Sequence, residues 1–165
     1  MSLQKFFKHI FFPRRTLRKL FPASTLQAIE ATIAAEEAHH QGQIRFVIEN
    51  ALPAQAALQN LSARARALQV FAELGVWDTE HNNGVLIYLL LAERQVEIVA
   101  DRGVNAKLGQ AVWNEICRAM ETHFRQGQFE QGALTGIQKV SEHMALHYPG
   151  MADERNELPD QAVVL

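Results

Sequence analysis

Seven apolar residues run without a break from Val85 to Leu91, VLIYLLL. The turn formers Asn82-Asn83-Gly84 precede them, and the charged connection Ala92-Glu93-Arg94-Gln95 follows. A short run that is apolar on every side and bounded by turn signals reads as a strand buried on both faces. Such a strand needs a covering layer above and below its sheet. The chain is therefore expected to be an α/β layer protein with helices packed on a small sheet.

The flanking segments supply those layers. Gln95–Asp101 alternates polar and apolar through Val96, Ile98 and Ala100, as a half-exposed strand does, and should pair with the apolar run as a hairpin. Ile44–Ile48 is a third, β-branched strand. Between it and the apolar run, Leu58, Leu61, Ala65, Leu68 and Ala72 mark one face of a helix over 54–74, with Gly75 as its stop. Strand, helix and strand in that order predict a parallel pair joined by a right-handed crossover. The hairpin makes the sheet mixed. An earlier helix starts at an N-cap of Ser24 or Thr25 and carries Leu26, Ile29 and Ile33 to His39-His40. Two more follow, at 107–126 (Leu108, Val112, Ile116, Met120, Phe124) and at 129–147 (Ala133, Ile137, Val140, Met144). With 165 residues the chain is long enough for one domain and a real core. Residues 24–150 form that domain and 151–165 a tail. The polar stretch 151–160 is expected to be loose, and the final QAVVL either adds an edge strand or frays.

Charge divides the chain unevenly. Residues 1–23 carry six Lys/Arg and no acid, whereas 24–165 carry ten Lys/Arg and eighteen Asp/Glu. A body of net charge −8 is not expected in a general nucleic-acid binder. The basic segment interleaves Phe6, Phe7, Phe11 and Phe12 with Lys5, Lys8, Arg14, Arg15, Arg18 and Lys19, hinged at Pro13. Its longest apolar run, Ile10–Phe12, is far shorter than a signal peptide or a membrane span requires, so the expected location is cytoplasmic. Two short amphipathic pieces of this kind suit a peripheral membrane site with anionic lipids or a membrane-protein partner. Packing of the Phe residues on the body, or a disordered arm, are the alternatives. One cysteine, Cys117, excludes an intramolecular disulfide and lies on an apolar helical stripe.

The stretch HNNGVLIYLLLAERQVEIVADRG, a helix, and then HFRQGQFEQGALTGIQKVSEHM resembles the TPM-domain family. An Asn-Gly turn enters the buried strand, and Phe124, Gly127, Phe129 and Gly132 mark the junction of the last two helices. The likeness is best over 75–147 and extends back to about residue 24. The family includes thylakoid-lumen proteins and bacterial members encoded beside LemA-type proteins. Membership implies the α/β domain above and, for some relatives, acid phosphatase activity or calcium binding. This sequence departs from the family pattern at Asn82, where many members have Asp, and over Val104–Gln110, which has no acid. Calcium favours several carboxylate oxygens, so both departures weaken a calcium or metal-dependent phosphatase reading.

Adjacent strand ends bring Asp78, Glu80, Asn82, Asn83, Asp101 and Asn105 into one polar neighbourhood of oxygen donors, open to calcium or magnesium. Ordinary turn chemistry explains the same residues. A phosphatase would draw on Asp78 or Asp101 as acid, base or nucleophile and on Arg102 to hold phosphate. His143 and His147, four apart on a helix, have metal-ligand spacing but no third ligand nearby in sequence. The expected function is a non-catalytic accessory module docking through its basic arm, with a phosphatase or cation-binding domain as the alternative.

Overall fold

The computed structural model describes residues 3–150 and 156–165. Its elements in chain order are α1 (Leu3–Ile10), α2 (Arg14–Leu20), α3 (Ala23–Glu37), β1 (Gln43–Glu49), α4 (Ala54–Leu58), α5 (Ala63–Glu73), β2 (Gly84–Leu90), β3 (Gln95–Ala100), α6 (Arg102–Leu108), α7 (Gln110–Arg125), α8 (Phe129–His147) and β4 (Val163–Val164). The strands lie in the order β3-β2-β1-β4. β1 and β2 are parallel, in register from Gln43↔Gly84 to Glu49↔Leu90. β2 and β3 form the antiparallel hairpin, and β4 lies parallel to β1. Part of the 151–160 stretch, namely 151–155, lies outside the described residues.

All seven residues of β2 are buried, and the side-chain alternation of a strand sends them to two different cores. Val85, Ile87 and Leu89 join Ile44, Phe46 and Ile48 of β1 against α3, α7 and α8. The helix faces meeting them carry Ile29 and Ile33, Trp113, Ile116, Met120 and Phe124, and Ile137, Val140 and Met144. Leu86, Tyr88 and Leu90 join Val47 on the opposite face, under Ala63, Ala67 and Val70 of α5. The result is a three-layer sandwich, thicker on one side than the other.

Four local readings are corrected. The helix expected over 54–74 is two helices, because Asn60 adopts φ 54° and Ser62 then caps α5, its Oγ accepting the Ala65 N–H at 3.1 Å. The break resets the helical phase. Alanines 57, 63 and 67 face inward, while Leu58 and Leu68 are about half exposed. The helix expected over 107–126 is likewise divided into α6 and α7 at Gly109, with φ 78°. α3 begins at Ala23 behind Pro22 with no side-chain cap. The Thr25 hydroxyl instead donates to Glu130 of α8 at 2.6 Å. Lastly, Asn-Gly does not turn on its glycine. Asn82 carries the positive φ, and Gly84 is needed because the Val76 carbonyl oxygen passes where a Cβ would sit.

The tail joins the sheet. The Gln43 side-chain oxygen accepts the amides of Glu157 and Leu158 at 3.1 and 2.9 Å. Arg45 donates to the carbonyls of Pro159 and Gln161, and the Leu165 N–H reaches Ile48 at 2.9 Å.

Three polar side chains lie together beside the α5 core. The Arg66 Nε donates to Glu49 Oε2 at 2.9 Å, and the Tyr88 hydroxyl donates to the same oxygen at 2.5 Å. Burial, and then the Glu49 charge, push the Tyr88 phenol well above its ordinary range and keep it a donor. Glu49→Ala leaves the buried phenol unpaired and Arg66 with only the exposed Glu73 as a carboxylate partner, and should cost about 1–3 kcal/mol in urea unfolding. Glu49→Gln, which still accepts, should cost less.

Glu37 is also buried, with its Oε1 accepting the Ile44 N–H at 2.6 Å. Burial pushes its carboxyl up to about 8. A raised carboxyl contributes stability in full below its unfolded value of 4.5 and loses it as pH rises through about 8. Burial pushes His40 the other way, to about 4, so its contribution is lost as pH falls from 6.5 through that value. Above 6.5 the Glu37 effect is therefore unopposed by His40. Thermal melts of Glu37→Gln should show a smaller decline in Tm between pH 6.5 and 8 than the parent chain.

Candidate functional site

The polar neighbourhood expected at residues 77–105 lies at the amino end of β1 and β2 and the carboxyl end of β3. The Asp101 N–H donates to the Gly84 carbonyl at 2.8 Å, which continues the hairpin pairing by one residue. Asp101 thus stands opposite Gly84, beside Asn83. The Asn83 N–H donates to the Thr79 hydroxyl at 3.1 Å, its Nδ2 donates to the Gln41 carbonyl at 2.5 Å, and its carbonyl accepts the Gln43 N–H at 3.2 Å. Asp101 caps α6 through Oδ1, which accepts the Arg102 N–H at 2.6 Å. Gly103 lies against the Asn82 backbone, where a Cβ would come within 2.7 Å of the Asn82 carbonyl oxygen and 3.4 Å of the Tyr148 hydroxyl.

Asn82, Asn83 and Asp101 are therefore brought together, with Tyr148 as an unforeseen neighbour. Burial and then the Asp101 charge raise the Tyr148 phenol, and Lys107 Nζ sits 3.9 Å from its ring centre. Two oxygen atoms here, Asn83 Oδ1 and Asp101 Oδ2, are buried and have no hydrogen-bond partner. Both are hard donors of the kind a divalent cation takes. Asp78 and Glu80 are exposed on the preceding loop, where their amides are bonded to the Gly75 carbonyl and the Glu157 carboxylate. Asn105 is exposed on α6, and its amide closes that helix onto the Asp101 carbonyl at 2.9 Å. Arg102 is exposed as well. Among the described residues no group of three His, Cys, Asp or Glu has metal-binding geometry, the His143/His147 pair included. Cys117 is half-buried beside the first core, and burial pushes its thiol up to about 12, so it is not a thiolate nucleophile. Trp77, on the loop before Asp78, is exposed.

The basic arm has two faces. On the inner face, Lys5 and His9 sit one helical turn apart and both reach Glu93 in the β2–β3 turn, at 3.0 and 2.8 Å. His9 Nδ1 accepts the Leu52 N–H at 3.1 Å, which leaves Nε2–H to donate to Glu93. Burial opposes the Glu93 charge, but the bonds from His9 and Lys5 hold its carboxyl below the ordinary range. Lys5 also donates to the Leu61 carbonyl, and Phe6 packs against the α5 core. Further along, Leu17 and Phe21 are core residues, with Phe12 packed against them. On the outer face Leu3, Phe7, Ile10 and Phe11 are all exposed, Phe11 by 73%. Lys8, Arg14, Arg15, Arg18 and Lys19 are exposed around them. Of the ten basic and aromatic residues singled out in the sequence, Lys5, Phe6 and Phe12 serve the fold and the other seven face outward. His9 and Glu93 were not foreseen. Their signal is a lone acid in the hairpin turn, opposite in charge to Lys5 and a histidine four residues on.

The sequence profile of the TPM domain matches residues 16–143. Among solved structures, the BA42 protein of the psychrophilic bacterium Bizionia argentinensis superposes with a TM-score of 0.76 at 29% identity, covering 87% of this chain and 94% of that one. The N-terminal domain of a P. gingivalis protein superposes with a TM-score of 0.64 at 20% identity, covering 81% and 83%, and shares the fold. Comparison with curated proteins gives no match. A profile match that spans most of the chain, on the fold described above, makes this chain a member of the TPM-domain family.

Proposed function

We infer that the protein is a non-catalytic accessory module that docks on an anionic membrane surface, the inner face of the cytoplasmic membrane, through the outer side of α1. The observation that carries this reading is the division of labour within that helix. Lys5, Phe6 and His9 fasten it to the body, while Leu3, Phe7, Ile10 and Phe11 form a continuous apolar stripe in solvent. Positions spaced three and four apart line one side of a helix. A fold that buries Leu17 and Phe21 nearby leaves these four out, and an apolar stripe rimmed by cations suits a bilayer interface with acidic lipids. No helix among the described residues is long and apolar enough to cross a membrane.

Co-sedimentation with phosphatidylglycerol-containing vesicles tests this. Phe7→Ser/Phe11→Ser should abolish binding without changing the melt of the domain. Lys8→Gln/Arg15→Gln/Lys19→Gln should weaken binding by about 1 kcal/mol per residue, and added salt should weaken it in the parent chain. Retention by protein-containing membranes but not by pure lipid vesicles would replace the lipid surface with a membrane-protein partner.

A second reading is supported by the two unpartnered oxygens, Asn83 Oδ1 and Asp101 Oδ2. They fit a weak divalent-cation site completed by backbone carbonyls such as that of Asn82, with calcium or magnesium as the ion. Amide NMR titration should then show saturable calcium shifts at 82–84 and 101–103, lost in Asp101→Asn. No localised shift at millimolar calcium would exclude the site. A phosphatase reading requires more. Hydrolysis of a generic phosphoester that persists unchanged in both Asp78→Ala and Asp101→Ala would be a contaminant.

A further inference from the structure

A cleft of about 670 Å³ opens at the other end of the sheet, where β1 and β4 finish. In open α/β sheets the crevice outside the carboxyl ends of parallel strands is the usual ligand position. The volume lies within the about 300–1,000 Å³ of small-molecule sites. The cleft is roofed by the turn between α1 and α2. Its walls are fixed by the bonds already described: His9 Nδ1 holds the Leu52 amide, and the Asn50 N–H holds the Leu165 carbonyl at 3.1 Å.

Its chemistry is divided. Ile10, Phe12, Leu17, Leu52 and Val164 make an apolar floor and wall. Arg14 and Arg18, one turn apart on α2, stand at its edge. Both are exposed, and among the described residues neither side chain makes a salt bridge or hydrogen bond. The one acidic side chain in the lining, Glu49, is already occupied by Arg66 and Tyr88, and the terminal carboxyl group of Leu165 accepts the Asn50 N–H. Two free guanidinium forks beside an apolar trough complement a ligand that is anionic at one end and apolar along its length.

The geometry points to a binding site for a single-chain amphiphile with an oxyanion head: the chain lies along Leu17, Leu52 and Val164, and the carboxylate or phosphate head sits on Arg14 and Arg18. This site adjoins the outer face of α1 and shares Ile10 with it, but it uses neither Phe7 nor Phe11 and does not depend on the protein reaching a membrane.

Isotope-labelled full-length protein should be titrated, below micelle-forming concentrations, with decanoate, decyl phosphate, inorganic phosphate and an uncharged decyl glucoside. Saturable shifts at Ile10, Leu17, Leu52 and Val164 are expected with the two anionic chains, and whichever binds tighter identifies the head group. Arg14→Gln/Arg18→Gln should weaken that binding about tenfold or more, because each charge-assisted bond contributes more than a neutral one. Val164→Trp, which fills the trough from an exposed position, should weaken it as well. Phe7→Ser/Phe11→Ser should leave it intact while vesicle binding is lost, which separates failure of this site from failure of the docking surface. Absence of shifts with either anionic chain overturns the proposal. So does equal affinity for the glucoside or for inorganic phosphate alone, or undiminished affinity in the double arginine variant.

Discussion

Everything in this fold depends on the parallel pairing of β1 with β2. The two strands supply seven consecutive partners, and β2 buries both of its faces. A parallel pair cannot be closed by a tight turn, so the chain must leave the sheet and return, and α4 and α5 do this on one side. The other side is then left bare and must be covered by α3, α7 and α8. The thick and thin layers of the sandwich follow from that requirement. So does the location of polar groups, which gather at the two ends of the sheet because its faces have no room for them.

The hairpin turn after β2 has a second role. Glu93 lies in the connection between two strands whose positions are fixed by the core, and it receives both Lys5 and His9. The amino-terminal helix is thereby tied to the turn that joins two core strands, as well as to the loops that carry Leu52 and Leu61. A histidine whose one nitrogen accepts from the Leu52 amide and whose other faces a carboxylate is satisfied while neutral. This ties three separate segments of chain with a single ring.

The layer architecture was legible because it rests on period and run length. VLIYLLL, the alternation of Gln95–Asp101 and the stripe Ile137, Val140, Met144 each meant what they said, and α8 spans the expected 129–147. Helix breaks were less legible. Asn60 and Gly109 interrupt patterns that continue in phase for a few residues beyond them, and periodicity alone does not register a single left-handed residue. Alanine-rich α5 hid its buried side for a related reason: Ala63 and Ala67 carry little hydrophobic signal, whereas exposed Leu68 carries much. At the candidate cation site, proximity of Asn82, Asn83 and Asp101 followed from hairpin register. Tyr148, Gln41 and Thr79 come from segments distant in sequence, and nothing local announces them. The arm held both signals at once, since a helix with apolar residues on two sides reads the same whether one side or neither is covered.

The position of β4 bears on how this chain reaches its native state. β1 is made early and waits for a neighbour more than a hundred residues away, Val163 and Val164 pairing with Val47 and Ile48. Until that tail arrives, the flank of β1 opposite β2 is an open row of amides and carbonyls set in an apolar strand. Such a flank invites pairing with any other extended chain. Contacts this distant in sequence also form slowly, because a large loop must close before they repay it. The hydrogen bonds of Gln43 and Arg45 to residues 157–161 hold the tail against β1 just ahead of that last strand. Two polar side chains on β1 thus help keep its open flank covered, a duty unrelated to anything the finished molecule binds.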